Sequence, residues 1–246
     1  MFVSAATHIH SEWSYDANWS LAKLVRLFKR FKYNTLLMAE HDKTFDDNKW
    51  EQYCAACKKE SADGFLVVPG IEYSDPTNTI HIQVWGKDVP FFGHDKATEE
   101  ILISVKKYGC VSVLSHPMRK EAYRLFKKEW FQILDGIEEW NRKFDGIAPP
   151  DGINTVGEQY CLAQFWGLDF HQLNQFVPLL LKIEITGELS YDNVLSSLKN
   201  KDCYPQILGL SKEKSRLISK SNKLKKLENY RQSLRPFMNQ IKGVFN

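Results

Sequence analysis

Six of the seven histidines follow or end a short apolar run, where a strand delivers its last side chains. His8 and His10 stand two apart at the close of the run over residues 2–9, and in an extended chain that spacing turns both imidazoles to one face. His41 follows the second run in Ala39-Glu40-His41-Asp42, Glu72 follows the third in Pro69-Gly70-Ile71-Glu72, and His81 lies at the start of the next. His116 ends the stretch Val111-Ser112-Val113-Leu114-Ser115-His116-Pro117, and Asp169 and His171 are again two apart in Gly167-Leu168-Asp169-Phe170-His171. One such histidine alone is ordinarily a hydrogen-bonded core or surface residue. An ordered series joined by carboxylates is a metal-ligand pattern, and its mixed nitrogen and oxygen donors suit Mn, Fe or Zn better than Ca or Mg. His94, in Phe92-Gly93-His94-Asp95 with no strand leading into it, reads as a surface residue.

These residues need strands to carry them. Apolar runs at 2–9, 35–39, 65–68, 80–85, 111–114, 136–139 and 181–185 alternate with stretches of helical period near 21–31, 46–61, 98–108, 121–131 and 155–165. A last helix of the series starts after Ser190, a plausible N-cap, with Val194, Leu195 and Leu198 inward. Strands separated by helices favour a mainly parallel sheet. Ligands gathered from the ends of many strands are what a (β/α) barrel presents at its C-terminal face, so the sheet is read as an α/β barrel.

Composition agrees with a globular chain: of 246 residues, 43% are apolar and 26% charged, which excludes disorder and fibre. A chain of this size buries enough surface to fold without a structural metal, so a metal would serve chemistry. No run of about 18 apolar residues occurs, and the start lacks the basic flank and long apolar stretch of a secretory signal, so no transmembrane segment and a cytoplasmic location are expected. Cys54 and Cys57, in a C-A-A-C inside a helical stretch, have no second pair to complete a zinc site, and the five cysteines are read as reduced and structural.

From Ser211 the composition shifts. Ten Lys and Arg face only Glu213 and Glu228, so residues 211–246 carry +8, and the whole-chain +3 leaves −5 on residues 1–210. Leu224, Leu227, Leu234, Met238 and Ile241 recur at helical spacing up to and beyond Pro236, which should kink or end the helix just before it. The division expected is a catalytic domain over 1–210 and a basic amphipathic helical tail over 211–246. Leu224, Leu227 and Leu234 are expected to pack back onto the barrel, with contact to nucleic acid or another polyanion, or to an anionic membrane surface, as competing uses.

Through residues 1–208 the chain resembles the PHP (polymerase and histidinol phosphatase) family of metal-dependent phosphoesterases. The motifs that carry the likeness are Thr7-His8-Ile9-His10-Ser11 with Ser14-Tyr15-Asp16-Ala17, then Ala39-Glu40-His41-Asp42, and Gly70-Ile71-Glu72-Tyr73-Ser74 followed by His81. Ser115-His116-Pro117, Asp135-Gly136-Ile137-Glu138 with Asn141, and Gly167-Leu168-Asp169-Phe170-His171, similar to the family's G-x-D-x-H, complete it. The resemblance implies a distorted seven-stranded barrel with two or three divalent ions (Mn, Zn or Fe). It places one on His8, His10, Glu72 and Asp169, lets Glu72 bridge to a second on His81 and His116, and gives a third to Asp16, His41 and His171. The chain departs at Ala6 and Ala39, where many members have an acidic residue and a Thr, which touches the support of the ligands and not the ligands themselves. Only residues 82–115 separate His81 from His116, too few for the insertion of cap-bearing members, so an open site is expected.

A phosphate ester repels nucleophiles by its own charge. Two ions about 3.5–4 Å apart neutralise that charge and lower the pKa of a bridging water, so a metal-bridging hydroxide is the expected nucleophile and a phosphomonoester the expected substrate. Glu72, Asp16, His41 and Arg119 are the expected catalytic residues. Arg119, three residues after His116, is placed to offer a bidentate fork to the phosphate, as the similar arginine of related members does; a surface salt bridge is the alternative. Glu138 and Asn141 end another strand and could orient a ligand histidine or bind substrate. A phosphorylated small molecule or a nucleotide is the expected partner. A metal-dependent amidohydrolase or deaminase, or a non-catalytic metal-binding regulatory protein, are the other classes open.

Overall fold

The structure, a computed structural model, describes residues 1–62, 64–150, 153–207 and 209–244. Along the chain run β1 (Phe2–Ile9), α1 (Leu21–Arg30), β2 (Thr35–Met38), β3 (Glu40–His41), α2 (Asp47–Glu60), β4 (Leu66–Val68), β5 (Ile71–Ser74) and β6 (His81–Trp85). There follow α3 (Thr98–Tyr108), β7 (Val111–Leu114), α4 (Ala122–Leu125), β8 (Gly136–Asn141), α5 (Arg142–Asp145), α6 (Ile153–Gln159) and β9 (Ala163–Gly167). The last are β10 (Leu179–Glu184), α7 (Tyr191–Lys199), β11 (Cys203–Ile207), α8 (Lys212–Ser219) and α9 (Asn222–Val244).

The fold is a mixed α/β one with two sheets, ordered β11-β10-β1-β2-β4 and β3-β5-β6-β7-β8-β9. The chain itself joins them, since β2 leads into β3 across Ala39 and β4 into β5 across Pro69 and Gly70. At the other margin the residues after β9 return to β1: Leu168 donates its N–H to Thr7 O at 3.1 Å, Phe170 to His8 O at 3.0 Å, and His10 to Phe170 O at 3.0 Å.

The expected mainly parallel sheet is corrected to a mixed one. β1–β2, β2–β4, β3–β5, β7–β8 and β8–β9 are parallel, while β1–β10, β10–β11, β5–β6 and β6–β7 are antiparallel. At β5–β6 the cause is length: the turn over residues 75–80 can join only antiparallel neighbours. It is closed by Asp75, whose carboxylate accepts from Thr77, Thr79 and Ile80. The helix expected over 121–131 is reduced to α4 between 3-10 turns, because Lys120 and Glu121 take left-handed φ values of 50° and 55°. The helix expected over 155–165 stops at Gln159, and its last residues belong to the strand β9.

Two apolar layers result. The larger holds α1, α2 and α3 against the strands, through Leu24, Phe28, Tyr53, Ile101 and Val105. The smaller is enclosed among the strands: Val3 and Ala5 of β1, Leu37, Val68, Trp85, Val113 and Phe165 pack with Val194 and Leu198 of α7. Ser190 caps α7 by accepting from the Asn193 N–H, a contact of about 1 kcal/mol. The site stands above this inner layer on the same strands.

In the tail, α9 spans Asn222–Val244 and does not end before Pro236; the proline ring removes one N–H donor, a loss a long helix absorbs. The expected apolar docking is corrected in part: Leu224 is half-buried, but Leu227 and Leu234 are 54% and 40% exposed. The helix instead docks through Glu228, 4% exposed, which accepts from the Ile147 N–H at 2.9 Å and pairs with Arg231. The side chains of Met238 and Ile241, with residues 245 and 246, lie outside the described residues. No helix among the described residues is long and apolar enough to cross a membrane. Cys54 and Cys57 lie on α2 as free thiols raised by burial.

Candidate metal centre

The strands deliver the residues proposed as ligands by alternation, with one correction at β1. Val3 and Ala5 face the inner layer and Ala6 the outer, so unbroken alternation would send His8 and His10 outward with Ala6. A bulge prevents this: the register with β2 shifts between Thr7 and Ile9, and His8 takes a left-handed φ of 59°. Ile9 then packs outward, while His8 and His10 are buried inside. On β6 alternation holds without a break, through Trp85 in the inner layer, Gln83, and His81 at the rim. From β9 the same parity runs through Ala163, Phe165, Gly167, Asp169 and His171. His116 and Asp169 also adopt positive φ, 27° and 50°. Non-glycine residues held so cost about 1–3 kcal/mol each and concentrate at functional sites.

All nine residues proposed as ligands converge. Glu72, 1% exposed, stands at the centre. Its Oε1 lies 2.8 Å from His116 Nε2, 3.2 Å from His81 Nδ1 and 3.3 Å from His8 Nε2; its Oε2 lies 3.2 Å from His41 Nδ1 and 3.9 Å from His10 Nε2. Asp169 reaches His10 Nε2 at 3.6 Å, His171 Nδ1 at 3.3 Å and His8 Nε2 at 3.9 Å. Asp16, a third exposed, faces His41 Nε2 at 3.3 Å and His171 Nε2 at 3.0 Å. Four triads have donor atoms within 4.8 Å of one another: His8, His10 and Glu72; Glu72, His81 and His116; His10, His41 and His171; and His8, His116 and Asp169.

Several of these atoms are buried with no hydrogen bond among the described residues: Nε2 of His8 and His10, Oε2 of Glu72 and Nδ1 of His81. A buried polar atom left so costs about 1–3 kcal/mol, and here lone pairs of both nitrogen and oxygen crowd together. Divalent cations are what such a donor set fits.

Charge in the cluster follows from the crowding. Burial opposes charge on His8, but Glu138, Asp169 and Glu72 outweigh it and raise the imidazole well above its ordinary range. His41, also opposed by burial, is raised to about 10 by Asp16 and Glu72. His10 is lowered by burial and by its neighbours His41, His171 and His8, and burial lowers His81 to about 4. Burial would raise Glu72, Asp169 and Asp16, but the surrounding histidines hold all three below the usual carboxylate range.

A buried shell fixes the ligands. Glu138 accepts from His8 Nδ1 at 2.7 Å, from the His116 N–H at 2.7 Å, from Gln83 and from Asn141. Asn141, offered by the sequence as a substrate contact, is fully buried. Its Nδ2 donates to Glu138 and Asp169 and its Oδ1 accepts from the Lys143 and Phe144 N–H groups. Glu40 accepts from the Ser11 and Ser14 hydroxyls, and Ser14 also meets His10 Nδ1 at 3.3 Å and the His41 N–H at 3.0 Å.

Arg119 makes no surface salt bridge among the described residues: it donates to Asn78 O at 2.9 Å, lies 3.1 Å from His81 Nε2 and covers the Phe144 ring. Lys143, two residues after Asn141, was not singled out by the sequence; its Nζ lies 3.2 Å from Asp169 Oδ1 and 3.2 Å from His171 Nε2. His94 is exposed and pairs with Asp95, away from the cluster.

No sequence-family model and no curated protein matches the chain. Solved structures do match its fold. A two-domain protein from Bacteroides vulgatus containing a predicted PHP-like metal-dependent phosphoesterase is 16% identical, with a TM-score of 0.65 over 85% of this chain and 66% of that one. PsfC from Pseudomonas syringae is 15% identical, with a TM-score of 0.61 over 95% and 99%. The lesion-specific endonuclease EndoQ from Pyrococcus furiosus is 12% identical, with a TM-score of 0.56 over 83% and 58%. The chain thus spans less than two thirds of the Bacteroides and Pyrococcus chains, and what it shares with all three is the fold.

Proposed function

We propose that this fold, shared with PHP-like phosphoesterases, serves here as a metal-dependent phosphoesterase of the PHP type acting on a phosphomonoester, built on a distorted seven-stranded barrel over residues 1–210. The observation that carries the reading is the burial of six imidazoles and of Asp169 around the buried Glu72, with several of their nitrogen and oxygen atoms left without a hydrogen bond. The ions it would hold are Mn, Zn or Fe, two or three in number. His8, His10, Glu72 and Asp169 would hold one, Glu72, His81 and His116 a second, and Asp16, His41 and His171 a third. Bound there, divalent ions supply charge neutralisation at the phosphoryl oxygens and an acidified water for hydrolysis.

The chain's own groups do the rest. Arg119, beside His81 at the rim, offers two guanidinium N–H groups to a phosphate, replacing its contacts to Asn78. Glu138 holds His8 in one tautomer by accepting from Nδ1, which leaves Nε2 with its lone pair. Lys143, 3.2 Å from Asp169, balances its carboxylate.

Elemental analysis of protein purified without chelator, joined to p-nitrophenyl phosphate hydrolysis with added Mn, tests the proposal. Two or three ions per chain and metal-dependent turnover are expected, both lost in Glu72→Gln. Less than one equivalent of metal, not restored by Mn or Zn, would overturn the centre, and metal-loaded protein inert to phosphate esters but active on amides would favour the amidohydrolase class.

A further inference from the structure

Lys143 carries an ammonium group into a cluster of imidazoles and carboxylates, and its place there is built. Asn141, fully buried, caps α5 by accepting from the Lys143 and Phe144 N–H groups at 3.1 Å each, while its own amide donates to Glu138 and Asp169. One side chain thus fixes both the backbone of Lys143 and the acid that its ammonium meets. Lys143 Nζ lies 3.2 Å from Asp169 Oδ1 and 3.2 Å from His171 Nε2.

The contact with His171 is the informative one. His171 Nδ1 lies 3.0 Å from Asp169 O, and because a carbonyl only accepts, Nδ1 carries the proton and Nε2 of the neutral ring keeps the lone pair. That lone pair accepts from Lys143. It also faces Asp16 Oδ2 at 3.0 Å, and an acceptor nitrogen and a carboxylate oxygen so close repel unless a cation or a proton stands beside them; Lys143 supplies the cation. An ion on Asp16, His41 and His171 would need the same Nε2, because Nδ1 is committed to the carbonyl. One lone pair takes one partner, so ammonium and ion are alternatives. The ammonium also has a way out: its side chain is 30% exposed, and a cleft of about 440 Å³ opens beside it, lined by Asp16, His171 and Gln175.

We propose that Lys143 sets the number of ions the centre holds: its ammonium stands in for a third ion at the Asp16–His171 end, so that two ions bind tightly and a third enters only by displacing this side chain into the cleft. The inference rests on the reading of the cluster as a phosphoesterase ion centre and deepens it, since it makes one of the three positions exchangeable and names the residue that makes it so. A single charge on a flexible four-carbon stem suits that role, because it neutralises Asp169 and Asp16 without demanding a coordination geometry.

Zinc titration of chelator-stripped, full-length protein tests this, with bound metal counted by elemental analysis at each free zinc concentration, a readout that needs no turnover. Wild type is expected to take up two equivalents together and the third only at a free zinc concentration higher by about tenfold or more. Lys143→Met, which keeps the length and removes the charge, should lower the zinc needed for the third equivalent by about the same factor and leave the first two bound no more weakly, while Lys143→Arg should keep the wild-type step. Circular dichroism and the melting temperature check that each variant is folded. Three equivalents bound in one step by wild type overturn the proposal without any variant. A third step unmoved in Lys143→Met also overturns it, and so does weaker binding of the first two ions there, which would make Lys143 a support for Asp169 alone. Failure of the phosphoesterase reading looks different: the zinc steps would appear as expected, and none of these proteins would hydrolyse a phosphate ester.

Discussion

Glu138 touches three of the groups that fix the cluster and stands at no ion position itself. It sets the His8 tautomer, holds the backbone of His116 and takes the Asn141 amide. Glu138→Gln keeps the shape but turns an acceptor toward a donor, and it is expected to lower metal affinity about 10–100-fold, as loss of such supporting bonds does. Titration calorimetry with Mn or Zn checks this, and wild-type affinity would contradict it. Protons compete for the same nitrogens. In protein stripped of metal, His41 is raised from 6.5 to about 10, so its contribution to stability is fully present below pH 6.5 and is lost as pH rises toward 10. Glu72 and Asp16 are lowered from 4.5 and 3.8, so theirs is present above those values and lost on acidification. His10 and His81 are lowered from 6.5, so what they contribute is lost as pH falls below that value; the stripped protein should therefore melt highest near pH 6.5, and because ions displace protons, the rise in Tm on adding Zn should grow from pH 6 to pH 8. A Zn-induced rise independent of pH would contradict the assignment of His41 as a ligand. Most of the residues that converge here are legible because they border an apolar run, while Asp16, in the loop after β1, is marked only by the family resemblance. Lys143, Gln83 and Asn78 are not legible, since their partners lie far off in the chain or across a turn, and no local pattern marks them.

At the level of elements, the sequence carries the order of the longer strands and helices through α3 and β7, without the short β5, and not their directions. Periodicity reports burial, and β5, β6 and β7 read the same whether parallel or antiparallel to their neighbours. β11 escaped notice because Pro205 interrupts it, which an edge strand tolerates and a central one does not. The start of β9 reads as the end of a helix, since Ala163 to Gly167 offers five residues with no clear alternation of exposure. The bulge at His8 has no sequence signal at all, yet it decides which way two ligands face. The docking of α9 is more local. Gly146 has a φ of 79° and lies so close to the Glu228 carboxylate that a Cβ could not be placed there. Gly146→Ala should release α9 and destabilise the protein by about 1–3 kcal/mol through backbone strain alone, with the helix amides exchanging faster with deuterium. Unchanged protection of α9 would show that Glu228 is not its anchor.

Across the whole molecule, every residue proposed as a ligand precedes residue 172, while the positive charge is concentrated after residue 210. Deleting residues 211–246 should therefore leave metal content and hydrolysis of p-nitrophenyl phosphate in place if the remainder stays folded, with a lower Tm from the exposed Gly146–Ile147 backbone. Loss of small-ester turnover in a folded, metal-loaded truncation would mean that the helix serves the chemistry itself, and that the proposed division at residue 210 is drawn in the wrong place. The seam at Leu168–Phe170 has a different consequence, in time rather than in space. His8 and His10 emerge first from the ribosome, but Asp169 and His171 reach them only when the residues after β9 hydrogen-bond back to β1. Contacts of such sequence separation form late, because the loop they close runs from residue 8 to residue 171. A chain in which that return has not formed thus lacks Asp169 and His171 from the cluster, so the full set of proposed ligands comes together only when the seam has closed.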